Sequence, residues 1–118
     1  MADVIITQGV QPTVLTAVTL FTSPTNVDIG TKILAFTASN QSTTETARYT
    51  VHIVPLGGSA DGTNKVITSN KLNASGTGCG DVESPAELIN ALIPKGGTLQ
   101  VLVDIITTIS FIASGRSD

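Results

Sequence analysis

The sequence predicts an all-β fold: an antiparallel β-sandwich or jelly roll with one short helix near 85–92. Three observations predict it. Val, Ile, Leu and Thr fill runs of strand length almost from end to end. Pro, Gly and Asn clusters punctuate those runs roughly every 8–15 residues, the spacing of short sandwich strands rather than of alternating strands and helices. At 118 residues the chain has the size of one domain with one core.

Residues 1–12 read as an N-terminal arm and 13–118 as a single β-sandwich domain. The arm carries Val4-Ile5-Ile6 and ends at Pro12, which biases Gln11 to extended geometry. It is either an edge strand or a segment lying across a neighbour. Thr13 to Phe21 is β-branched and bounded by Pro12 and Ser23-Pro24, so it reads as a strand. Thr31 to Ser39 is the second strand. Ile33, Ala35 and Thr37 point one way and Leu34, Phe36 and Ala38 the other; with both faces rather apolar, a central position is expected.

Asn40 to Glu45 is a polar hairpin loop. The strand Ala47 to Leu56 alternates, with Ala47, Tyr49, Val51 and Ile53 on a core face. Arg48, Thr50 and His52 then face solvent. A turn through Gly57-Gly58 leads to a strand from Asn64 to Leu72, and a Gly-rich loop covers Asn73 to Gly80.

Ser84 with Glu87 three residues on is a capping box, and Pro85 sits at the favoured first helical position. That predicts one or two helical turns over 85–92. After the turn Pro94-Lys95-Gly96-Gly97, Thr98 to Ile105 and Thr107 to Ala113 are two strands with a tight bend between them. Ser114 to Asp118 reads as a polar tail. No internal repeat is visible.

Composition narrows the function. Hydrophobic residues make up 41% of the chain and mean hydropathy is positive at +0.31, which argues against disorder. The core inventory is mostly small aliphatics, with three Phe and one Tyr. Such a core buries little area per residue, so partner subunits are expected to add stability. Net charge is −3. Lys32, Arg48, Lys65, Lys71, Lys95 and Arg116 are scattered, with no basic stripe for phosphates. No nucleic-acid or membrane partner is expected. Neither a secretion leader nor an apolar run long enough to span a bilayer is read from the sequence.

Groups able to do chemistry are few. Cys79 is the one cysteine, so no intrachain disulfide is possible, and His52 is the one imidazole. A Cys79–His52 nucleophile–base pair lacks an orienting third group, so both residues are expected to be dispensable. Asp81, Glu83 and Glu87 cluster beside the Gly-rich loop and could supply oxygen ligands to a cation. Their spacing does not match a calcium loop, and a solvated acidic loop explains them as well. Gly57-Gly58 and Gly96-Gly97 lack the Lys-Ser/Thr pair of a phosphate loop and read as tight turns. Asn40-Gln41-Ser42 and Asn73-Ala74-Ser75 match the glycosylation acceptor pattern, which has no consequence without secretion. No catalytic residue, metal ligand or cofactor site is assigned, and the chain is not expected to be an enzyme. The Thr-rich strands suit cross-strand and subunit contacts, so exposed edges are expected to meet partners.

The order of several segments resembles small β-sandwich virion proteins of tailed bacteriophages. It is carried by Leu20-Phe21-Thr22-Ser23-Pro24, by Ile33 to Asn40 and by Tyr49-Thr50-Val51-His52-Ile53-Val54-Pro55. Ile93-Pro94-Lys95-Gly96-Gly97-Thr98-Leu99 and the closing Ala113-Ser114-Gly115-Arg116 complete it. The resemblance covers most of residues 13–116. It implies a protein that decorates the head or, alternatively, a neck/collar or tail-associated virion protein, assembled in the host cytoplasm with major capsid or neck proteins. It also implies a symmetric homo-oligomer, with a trimer expected at three-fold sites of an icosahedral head. A carbohydrate-binding jelly roll is the competing reading. Sugar binding relies on exposed aromatics, and Tyr49 with three Phe is a thin supply.

Overall fold

The computed structural model describes residues 4–74, 76 and 80–117. Among the described residues nine strands carry the fold: β1 (Val4–Val10), β2 (Val18–Thr22), β3 (Gly30–Asn40), β4 (Ala47–Val54), β5 (Lys65–Leu72), β6 (Val82–Glu83), β7 (Leu92–Pro94), β8 (Thr98–Val103) and β9 (Ile109–Ser117). They form two antiparallel sheets. The first runs β1-β9-β3-β6, with β7 also paired to β3, and the second runs β2-β8-β4-β5. The sheets pack face to face over one core, the expected sandwich.

Period-two patterning drives the packing. β8 buries Leu99, Val101 and Val103, and β9 buries Ile109, Phe111 and Ala113. Phe111 lies at the centre. Its ring stands 6.0 Å from Phe36 of β3 and 5.6 Å, edge-on, from Tyr49 of β4, so three aromatic rings join the two sheets.

β3 is central, as its two apolar faces suggest, but its phase changes partway. A register shift between Ile33 and Ala35 inserts Leu34 as a bulge. Ile33 therefore joins Phe36 and Ala38 in the core, and Leu34 is exposed. The simple alternation expected there is corrected by that one residue.

Four further expectations are corrected. The 85–92 helix is a three-residue 3-10 turn, Ala86–Leu88, whose flanking Pro85 and Ile89 are extended (ψ 127° at each). No side chain caps it; Ser84 Oγ instead lies 3.4 Å from Thr37 Oγ1. Pro85 and Leu88 are buried, so packing shapes the segment rather than helix propensity. The strand expected from Thr13 begins only at Val18, leaving Val14 and Leu15 exposed. The supposed polar tail is the end of β9. Ser117 is 1% exposed, and its hydroxyl sits 2.8 Å from Thr31 Oγ1, itself 2.8 Å from Ser23 Oγ. That buried hydroxyl chain closes one end of the sandwich. Finally, Thr50 and His52 are 8% and 3% exposed rather than solvent-facing.

The segment read as an arm supplies β1. It pairs with β9 over seven consecutive positions, from Val4 opposite Ser117 to Val10 opposite Phe111. Among the described residues no helix is long and apolar enough to cross a membrane.

Candidate functional site

Of the chemistry-bearing residues singled out from sequence, His52, Asp81 and Glu83 are held in structural roles, Glu87 is exposed and Cys79 lies outside the described residues. On β4, His52 Nδ1 is 2.8 Å from Asn64 Oδ1. That oxygen also accepts the Asp61 N–H at 3.1 Å, while Asn64 Nδ2 donates to the Ser59 carbonyl at 2.9 Å. With the carboxamide oxygen accepting, Nδ1 carries the imidazole proton. His52 thus pins the 55–64 loop to the second sheet. In the same loop, Thr63 donates to Asp61 Oδ1 through its N–H (2.8 Å) and its hydroxyl (2.5 Å), and these bonds hold the Asp61 carboxyl below the usual range. Cys79 lies outside the described residues.

The three acids near the Gly-rich loop do not converge. Asp81 Oδ2 accepts the Asn73 N–H at 2.9 Å, tying off the loop. Glu87 is exposed on the 3-10 turn. Glu83 reaches inward from β6 and accepts the Tyr49 hydroxyl and Asn70 Nδ2, the latter at 2.7 Å. Among the described residues no three His, Cys, Asp or Glu side chains gather as a metal site.

The Tyr49–Glu83–Asn70 cluster is a polar link between the sheets, as is Asn40 of β3, whose Nδ2 donates to the Leu72 carbonyl of β5 at 2.9 Å. Tyr49 and Asn70 belong to the second sheet and Glu83 to the first. Burial of the phenol pushes the Tyr49 pKa well above its ordinary value, and the Glu83 carboxylate adds to the shift. Sequence alternation correctly places Tyr49 on the core face. Nothing in the sequence signals that Glu83, the last residue of a two-residue strand, would meet it.

The Gly pairs are turns. Gly57 and Gly96 adopt φ 79° and 77°, and Gly58 and Gly97 donate back to Pro55 and Pro94 carbonyls. Two shallow depressions open on the second sheet. One, of about 280 Å³, is lined by Leu15, Arg48, Thr50, Ser69, Leu102 and Asp104. Arg48 Nη1 there donates to the Ser69 carbonyl at 2.9 Å, and Asp104 Oδ1 accepts the Arg48 backbone N–H at 2.7 Å. The other, of about 480 Å³, follows the 55–64 loop. Both are wide open to solvent, unlike the enclosed apolar sites that hold small molecules.

What the fold does present is surface suited to contact. Leu34, Val82, Leu92 and Ile112, each 40–65% exposed, lie along the solvent side of the first sheet. Thr37 and Ser114 stand among them on β3 and β9, with Lys32 and Arg116 as cross-strand neighbours at one end. This side is therefore small, apolar and sparingly charged.

No family model matches the chain. No curated protein matches it either. Among solved structures, it is similar over 98% of its length to a chain described as cyanophage Pam1 capsid asymmetric unit. The identity is 15%, the TM-score 0.48, and 83% of that chain is covered. A chain of infectious bursal disease virus, Gx strain, overlays with 18% identity and TM-score 0.44. It covers 98% of this chain, which spans about a third (31%) of the viral one. Neither likeness bears on function.

Proposed function

We propose that this chain is a non-enzymatic structural protein of a tailed-phage virion, decorating or cementing the capsid through repeated subunit contacts. The observation that carries the reading is the apolar, sparingly charged solvent side of the first sheet. Leu34, Val82, Leu92 and Ile112 expose surface there that water alone would not favour. The sequence resemblance to small virion sandwiches supports it independently. The partners are then further copies of this chain and the major capsid or neck proteins of the same particle, and the site of action is the virion.

The carbohydrate-binding reading loses its means. Phe21, Phe36, Phe111 and Tyr49 are all 9% exposed or less. With three Phe, one Tyr and no Trp in the chain, no aromatic ring is left to stack on a sugar.

Sedimentation tests the proposal. Purified chain is mixed with particles that lack it and centrifuged through a cushion. Saturable pelleting with the particles is expected. A chain that stays in the supernatant at every ratio, while remaining folded, overturns the reading.

A further inference from the structure

Among the described residues the sandwich has four sheet edges, and three are blocked against another strand. β5 carries Lys65 and Lys71, Ser69 in the left-handed region (φ 49°) and two register shifts against β4. β2 has five residues and a register shift between Thr19 and Phe21. The far side of β3 is covered by β6, of two residues, and β7, of three ending in Pro94, with further backbone bonds from Ile33 to Asn90 and Ala91 and from Asn40 to Asp81. Short strands, bulges, Lys and Pro are the devices that keep sheet edges from pairing.

β1 carries none of them. Its seven residues, Val-Ile-Ile-Thr-Gln-Gly-Val, contain no charge and no Pro. Its register with β9 is unbroken, so the strand is regular along its whole length. On a free edge the outward N–H and C=O groups of such a strand are met by water, and a second strand is the protein partner that can pair them in series.

We propose that β1 pairs edge to edge and antiparallel with β1 of a second copy, joining the two first sheets across a two-fold axis. The occupant follows from the other edges. A head-to-tail ring would need β1 to meet a second open edge on the neighbour, and β2, β5 and the β6/β7 side are closed to it. A self-complementary contact uses one edge twice, which two-fold symmetry provides. The absence of charge lets the strand face itself without like-charge repulsion. This favours a two-fold contact over the trimer expected from the sequence. It stands apart from particle binding, since a free dimer forms or fails to form without a capsid.

The test is the mass of the isolated full-length chain. Thr7 and Gln8 are both exposed, so Lys is accommodated there without disturbing the core. Analytical ultracentrifugation of the wild type is expected to show a reversible monomer–dimer equilibrium. The double variant Thr7→Lys, Gln8→Lys is expected to weaken the dimer by roughly tenfold or more, with unchanged circular dichroism and with unchanged melting at a dilution where both proteins are monomeric. Thr19→Lys, on the bulged β2 edge, should leave the equilibrium unchanged. Amide exchange gives a second readout. On a free edge alternate amides of β1 exchange fast, whereas in the dimer both sets slow down as concentration rises. A wild type that is monomeric or trimeric overturns the proposal. So does a dimer that survives the Lys pair, or alternate β1 amides that stay fast in a dimeric sample.

Discussion

Replacing Tyr49 by Phe removes one oxygen from the Tyr49–Glu83–Asn70 link between the sheets and tests that link directly. The ring and its packing on Phe111 remain, so the cost isolates the hydroxyl. A hydrogen bond to a charged group contributes about 1.5–3 kcal/mol net. Glu83 keeps Asn70 at 2.7 Å and is partly exposed, so water and the amide recover part of the loss. The expected destabilisation is therefore about 1–2 kcal/mol, a fall in Tm of roughly 4–8 °C for a domain of this size. The pH dependence is more discriminating. The folded-state pKa of Tyr49 is raised, so the stabilisation is fully present below the unfolded-state value near 10 and is lost as pH rises above it. Relative to Tyr49→Phe, the wild type should lose about 1.4 kcal/mol by about pH 11, because the unfolded phenol ionises while the folded one does not. Urea unfolding of both proteins between neutral pH and pH 11 supplies the free energies. Tyrosinate absorbance reports one group, since the chain has a single Tyr and no Trp. Ionisation of Tyr49 at its ordinary pKa in the folded protein, or a cost near zero for Tyr49→Phe, would refute the reasoning.

Four other outcomes are expected. Phe111→Ala, at a position with no exposure between the sheets, should cost about 3–5 kcal/mol in urea unfolding; a cost below about 1 kcal/mol would mean the core is arranged otherwise. Thr31→Val leaves the buried Ser23 and Ser117 hydroxyls without their shared partner, and a loss of about 1–3 kcal/mol is expected. Removing residues 114–118 should lower Tm by more than that, whereas a dispensable tail would leave it unchanged. His52→Gln should free the 55–64 loop, read as faster proteolytic nicking there, while particle association stays at the wild-type level.

The elements legible in the sequence are those whose faces differ in polarity. The start of β4 and the whole of β8 alternate well enough to be read directly, and Tyr49 falls where alternation puts it. What was missed has physical causes. β9 runs on through Ser114, Gly115 and Ser117, because Ser117 is buried by hydroxyl bonds and Gly115 by closeness. A Cβ on Gly115 would lie 2.7 Å from Thr31 Cγ2. Neither feature looks apolar in a hydropathy pattern. The bulge at Leu34 shifts the phase of β3 without any turn residue to announce it. The capping box at Ser84 is present in sequence, but Pro85 is extended and the buried Leu88 sets the path of the chain. His52 reads as an outward position, yet Asn64 covers it from a loop twelve residues away. Of the contact surface, the sequence shows only that Thr-rich strands and unguarded edges invite partners. Which edge is open depends on strand order, and strand order comes from long-range pairing.

The central claim, that this sandwich works as a repeated part of a virus particle, is tested most directly by a cryo-electron map of the intact virion. The account predicts density for the two-sheet sandwich at symmetry-related positions on the head or neck, with the solvent side of the first sheet turned toward a neighbouring subunit. Purified, infectious particles that contain no copy of this chain would contradict it.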